Sequence, residues 1–152
     1  MRGILLIGAA VALVAPWVPP GAPAVVHANG VAGSAAADTA TLLIGTWTVT
    51  EVRSGTIPQD TLPTLVFETG RLAGFAGCNR FGATLAVGDG GALNIGPAAI
   101  TRMACAAPQM EVEAAILRAL QRIDAVAFDS NGQIALLAFG TVMMRATRAP
   151  QG

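Results

Sequence analysis

The chain has 152 residues, of which 53% are hydrophobic and only 12% are charged. This balance excludes an intrinsically disordered protein, which needs low hydrophobicity and high net charge, and the length suits a single domain. The formal net charge is zero, so bulk charge does not direct the protein to nucleic acid.

Residues 1–28 have the pattern of a secretory signal peptide. Arg2 is followed by an apolar run from Ile4 to Ala15, which ends at Pro16. Small residues near Ala28 then offer a cleavage site. The run before Pro16 is shorter than the roughly 20 residues of a spanning helix. We therefore expect export to the periplasm or the extracellular space; the alternative is a retained N-terminal anchor, and only then would the protein contact a membrane.

Export would also change which chemistry is available. Cleavage removes His27, the only histidine, and with it the usual base for Ser or Cys nucleophiles and the usual nitrogen ligand for zinc. Glu111 and Glu113 are two positions apart on a predicted helix, so their side chains point in different directions. We therefore expect a non-enzymatic protein without a metal site or cofactor.

The remaining chain predicts an α+β domain over residues 42–148, preceded by a flexible linker at 29–41 that is rich in Ala, Gly, Ser and Thr. Short apolar segments alternate with Gly, Pro and Asn-Gly turns, which is typical of about seven or eight short strands. The predicted strands are 46–52, 64–68, 71–75, 83–87, 92–95, 126–129, 133–139 and 141–147.

One helix is predicted from about Pro108 to Ile123, before the C-terminal hairpins. Its apolar stripe consists of Met110, Ala114, Leu117, Leu120 and Ile123. Long parallel crossovers are missing, so we expect a bent antiparallel sheet or a partly closed barrel that packs on this helix. The candidate core residues are Trp47, Phe67, Phe81, Leu117 and Leu120.

The only two cysteines, Cys78 and Cys105, are separated by 27 positions. In an oxidising compartment two thiols usually pair, and a bridge of this span is worth on the order of 3 kcal/mol. The alternative is a redox pair or a reactive thiol, although redox pairs usually have Cys-x-x-Cys spacing. The pattern favours a structural disulfide.

The segments around these cysteines carry a family resemblance. Gly77-Cys78-Asn79-Arg80-Phe81, then Gly96-Pro97, then the run from Thr101 to Gln109, and finally Glu113 resemble the META (HslJ-like) domain family. The resemblance implies an antiparallel, barrel-like sheet with one helix in a small envelope protein. It implies no established catalytic activity, and it links the chain loosely to heat shock, envelope stress and novobiocin resistance.

Two features depart from the family pattern. Many members continue Phe-x-Gly-x-Tyr after the first motif, whereas Ala83 and Leu85 occupy the Gly and Tyr positions here. Many members are also lipoproteins, but this chain has no cysteine for acylation after its leader. Tethering by lipid is therefore not expected.

A disulfide would bring Asn79, Arg80, Thr101 and Arg102 together as a polar, basic patch suited to an anionic group. These four residues are the candidates for contact with a ligand or partner, although Asn79 and Arg80 also suit structural roles at a turn. We expect an envelope protein with a stress-related role, either in binding an unknown envelope partner or in structure. The alternative is a carrier that holds a small hydrophobic ligand or lipid in a barrel-like interior.

Overall fold

The computed structural model describes residues 32–150, with side-chain surroundings described from Asp38 onward. The predicted signal peptide and the first residues of the predicted linker lie outside the described residues.

In the described part of the chain, nine antiparallel strands form one strongly bent sheet. The strand bounds are Gly45–Val52 (β1), Thr64–Glu68 (β2), Arg71–Phe75 (β3), Arg80–Val87 (β4), Leu93–Ile95 (β5), Ala99–Ile100 (β6), Ala125–Phe128 (β7), Ile134–Ala138 (β8) and Thr141–Arg148 (β9). The strand order in the sheet is β5-β4-β3-β2-β1-β9-β8-β7, and β6 pairs with β4 beside β5.

The two ends of this sheet meet and nearly close a barrel. An isolated bridge pairs Ala92 with Ala125, and the Leu93 N–H donates to the Asp124 carbonyl at 2.8 Å. A helix, α2 (Ala107–Leu120), precedes β7 and packs against the sheet. The expected α+β fold, with a bent antiparallel sheet and a helix before the C-terminal strands, is confirmed.

Two local features of the sheet differ from the sequence prediction. The two-residue strand β6 was not predicted, because two residues are too few to show an alternating pattern. The hairpin at Asn131-Gly132 is present, but its loop extends from Asp129 to Gln133. The Asp129 carboxylate organises this loop by accepting the N–H groups of Asn131 at 2.8 Å and Gln133 at 2.9 Å.

Residues 32–41 of the predicted flexible linker lie in a second helix, α1 (Ala32–Leu43), which corrects the interpretation of this part of the linker. Alanine is the best helix former, so an Ala-rich segment becomes helical once tertiary contacts hold it. Leu43 is 1% exposed, and the buried Trp47 Nε1–H donates to the Leu43 carbonyl at 2.8 Å. The Arg148 guanidinium lies 4.5 Å from the Trp47 ring centroid and donates to the carbonyls of Leu42 at 2.6 Å and Ile44 at 3.2 Å. These bonds attach the C-terminal end of α1 to the sheet.

Helix α2 is rotated relative to the predicted apolar stripe. Trp47, Phe67, Phe81 and Leu120 are buried, whereas Leu117 is only half-buried at the edge of the core. The face that α2 buries consists of Val112, Glu113, Ala115, Ile116, Ala119 and Leu120. A charged residue within this face indicates that a specific polar contact sets the rotation.

Replacing Arg148 with Met should loosen the end of α1, because it keeps the aliphatic stem but removes both bonds to the carbonyls of Leu42 and Ile44. Hydrogen exchange should accelerate at least about fivefold at the Ile44 amide, which donates to the Ala40 carbonyl. Arg145→Met is the matched control, since Arg145 lies on the same strand and pairs with Glu51 instead. Equal exchange rates at Ile44 in the two variants would contradict this attachment.

Candidate functional site

The Cys78 and Cys105 sulfurs are bonded, and their Cα atoms lie 5.9 Å apart, so the predicted disulfide is confirmed. Cys78 is 4% exposed, in the segment between β3 and β4. Cys105 lies two residues before α2. The bridge therefore joins the β3–β4 connection to the segment that leads into the helix.

Gly77 allows this connection to lie directly on α2. Its φ of 119° is unfavourable for any other residue, and a Cβ there would lie 2.5 Å from Val112 Cγ1 and 3.1 Å from the Gln109 carbonyl oxygen. A side chain at this position would therefore separate the connection from the helix.

Asn79 is the centre of a hydrogen-bonded cluster that contains the buried Glu113 and, toward the surface, the exposed residues Thr101 and Met103. Its Oδ1 accepts the Met103 N–H at 2.7 Å and the Thr101 hydroxyl at 3.0 Å. Its Nδ2 donates to the Met103 carbonyl and to Glu113 Oε1, each at 3.2 Å. The side-chain amide can make four hydrogen bonds, and all four are made here. Asn79 is 3% exposed, so it has neither the access nor the free capacity to contact a ligand.

Glu113 connects helix α2 to this cluster. It is 6% exposed, and its Oε2 accepts the Asn79 backbone N–H at 2.6 Å while Oε1 accepts the side-chain amide. A buried carboxylate is tolerated where such donors replace water. Because Glu113 must face inward, Val112 and Ile116 turn toward the core and Leu117 turns to its edge. Glu111 is exposed on the other side of α2, so these two carboxylates do not form a catalytic pair.

Thr101 connects the buried part of the cluster to the surface. Its hydroxyl accepts the Arg80 N–H at 3.1 Å, and its own N–H donates to the Arg80 carbonyl at 3.0 Å. The backbone of Arg80 is therefore fixed, while its side chain is exposed. Arg102 is also exposed, but the structure gives it no contact with the other three candidates. Of the four predicted contact residues, Arg80 and Thr101 thus lie on an accessible surface together.

That surface is a groove of about 700 Å³ over β3, β4 and β6, which we call the basic groove. Its basic residues are Arg71 at the start of β3 and Arg80 at the start of β4. Glu68 Oε2 lies 3.9 Å from Arg71 Nη1. No carboxylate of the described residues lies within ion-pair distance of Arg80. Pro97, Ile100 and Thr101 contribute to the remaining lining.

Small residues on two adjacent strands line the floor of the basic groove. The sheet register pairs Gly82 of β4 with Ala99 of β6, so these two positions share one face. The Arg71 guanidinium extends over Gly82, since a Cβ there would lie 3.6 Å from Arg71 Nη2. Gly82 therefore leaves room in which two guanidinium groups can approach the same bound group.

The apolar cavity at the end of α1 is small. It has about 210 Å³ and lies between the end of α1 and the sheet, lined by residues that include Leu43, Phe67 and Leu85. Sites for drug-sized ligands usually have about 300–1,000 Å³. In the described part of the chain, no cluster of His, Cys, Asp or Glu has the composition of a metal site.

The fold and the disulfide-linked corner define a small disulfide-bonded domain with a barrel-like antiparallel sheet. The family model of the META domain matches residues 40–150. The chain belongs to the META domain family, which is not known as a family of enzymes. An NMR structure of a protein from Burkholderia xenovorans is similar, with 28% sequence identity and a TM-score of 0.62 over 75% of this chain and 88% of that chain. No match was found among curated proteins.

The sequence patterns did not identify two residues of these sites. Glu113 was placed on the predicted helix and in the family motif, but no contact was predicted for it, although an acidic residue between apolar neighbours on a predicted helix can be a sign of a buried polar contact. Arg71 was missed because only the register of β3 and β4 places its side chain over Gly82 and into the groove; Arg71 itself pairs with Thr84, while Arg80 pairs with Phe75 at the other end of the hairpin.

Replacing Glu113 with Gln should lower the free energy of unfolding by roughly 1–3 kcal/mol. Gln presents one oxygen and one NH₂ group, so one of the two Asn79 donors would face another donor. Glu111→Gln is the matched control, because this exposed site two residues earlier should change stability by less than about 0.5 kcal/mol. Urea unfolding measures both; equal stabilities of the two variants would contradict the role of Glu113.

Removing the disulfide, by reduction or as Cys78→Ala with Cys105→Ala, should lower the free energy of unfolding by about 3 kcal/mol. The cause is that the unfolded chain gains conformational entropy without the bridge. Thermal unfolding with and without reductant measures this effect, and the double variant should not respond to reductant. An unchanged melting curve and two titratable thiols in the native protein would contradict a structural bridge.

Proposed function

We propose that this protein is an exported, non-catalytic binding domain of the cell envelope, and that its basic groove takes an anionic group of an envelope partner. The observation that carries this proposal is the pair of guanidinium groups, Arg71 and Arg80, beside a floor without large side chains. Arg80 is central because its backbone is fixed by Thr101 while its charge has no ion-pair partner among the described residues.

The groove suits a carboxylate or phosphate attached to a partly apolar body. An arginine presents its donors in a planar fork that matches both anions, and it loses less hydration than lysine on binding. Pro97 and Ile100 provide apolar surface on the β6 side, and Ile100 is 42% exposed. A group that used both features would bury apolar surface while its anion contacts the two arginines.

Export is supported by the disulfide, because such bonds persist mainly in oxidising compartments. None of the described helices is long and apolar enough to cross a membrane. Signal cleavage near Ala28 and a role under envelope stress remain part of the proposal. A carrier of a small hydrophobic ligand is the weaker alternative, since the apolar cavity beneath α1 has only about 210 Å³.

The basic groove can be tested with small anions. Inorganic phosphate and succinate, titrated separately, should shift the backbone amide resonances of Gly82, Thr84 and Ala99, which line the groove. Arg80→Gln should weaken binding about tenfold, because it removes one charged hydrogen-bonding group. Arg71→Gln should do the same.

Arg145→Gln is the control for loss of one positive charge, because Arg145 lies on β9 and pairs with Glu51 outside the groove. This variant should bind like the unchanged protein. Equal affinities for all three variants, or shifts that do not map to the groove, would contradict the proposal.

A further inference from the structure

The turn between β8 and β9 exposes a large aromatic residue in an unfavourable backbone conformation. Phe139 and Gly140 form this two-residue turn, with φ values of 49° and 75°. Two positive φ angles are typical of a type I′ turn, in which Asn, Asp or Gly is strongly preferred at the first position. A bulky residue with positive φ is unusual. The Phe139 side chain is also 87% exposed, so it gains little from the core.

This turn is nevertheless well anchored. The Phe139 N–H donates to Asp124 Oδ2 at 2.9 Å, and the Asp124 N–H donates to the Leu137 carbonyl at 2.9 Å. The Phe139 side chain is therefore exposed by a hydrogen-bonded turn and not by fraying of the strand ends. Backbone strain at an exposed aromatic residue that is fixed in this way supports a hypothesis of function.

The surroundings of Phe139 are basic. A cleft of about 320 Å³ beside the turn is lined by Arg53, Arg122 and Met143, among others. Both arginines are exposed, and neither forms an ion pair within the described residues. The acidic group at the turn is Asp124, and one of its oxygens is engaged by the Phe139 N–H.

We propose that this turn is a membrane-contact site, in which Phe139 enters the headgroup region of a bilayer rich in anionic lipids while Arg53 and Arg122 contact lipid phosphates. Aromatic side chains favour the membrane interface, and basic residues near it are attracted to anionic lipid. The convex shape favours a bilayer over a protein partner, because a bilayer deforms around a single projecting side chain, whereas a protein must supply a matching cavity. The site is separate from the basic groove, which lies on β3, β4 and β6.

Phe139→Trp gives a direct test in the full chain. The chain already contains Trp17 and Trp47, of which Trp47 is 1% exposed, so the spectrum of the unchanged protein under the same conditions is subtracted and the difference reports the indole at position 139. With millimolar vesicles of phosphatidylglycerol and phosphatidylcholine, its emission should shift to the blue and be quenched by brominated lipid. With pure phosphatidylcholine the shift should be much weaker. No shift with either vesicle would overturn the proposal.

Phe139→Asn separates binding from stability. Asn suits a type I′ turn, so this variant should have an equal or higher melting temperature, yet vesicle sedimentation should show about fivefold weaker binding. The double variant Arg53→Gln, Arg122→Gln should reduce the preference for anionic vesicles at least about tenfold. All variants have the same residues 1–31, so any contribution of this segment to vesicle binding is equal among them. A lower melting temperature with unchanged vesicle binding in Phe139→Asn would assign Phe139 a structural role and overturn the proposal.

Discussion

The buried contact between Asn79 and Glu113 is the constraint on which the rest of this domain depends. It joins a connection of the sheet to the helix, and it sets the rotation of α2 because Glu113 must face inward. The same asparagine holds Met103 and Thr101, so the segment before α2 is shaped by it as well. The disulfide lies beside this contact and restricts the chain that the hydrogen bonds then organise.

The positions next to this contact divide into structural and accessible residues. Asn79 is fully engaged inside, whereas the adjacent Arg80, the first residue of β4, is exposed. Thr101 links the buried and the exposed residue, because its hydroxyl donates to Asn79 Oδ1 and accepts the Arg80 backbone N–H. A motif that combines Cys, Asn and Arg can therefore stabilise the fold and present a charge through consecutive residues.

The sequence predicted the features that depend on local patterns. Alternating apolar residues and turn signals located eight strands. The presence of two cysteines in a chain with an export signal predicted the disulfide. Features that depend on tertiary contact were missed. The Ala-rich α1 needs Trp47 and Arg148 to hold it, and the shift of Leu117 to the core edge needs Glu113 to be bound. The basic groove was predicted in part, through Arg80 and Thr101, because the strand register that adds Arg71 is not a local property.

The bridge between Ala92 and Ala125 gives the nearly closed barrel a seam. Elsewhere each strand is joined to its neighbours by a ladder of several pairs, whereas this junction has one bridge and the adjacent bond from Leu93 to Asp124. The sheet can therefore part at the seam with the loss of few hydrogen bonds, while its continuous side stays paired. We therefore expect resistance to opening to be unevenly distributed around the barrel, with local opening of the sheet concentrated between β5 and β7.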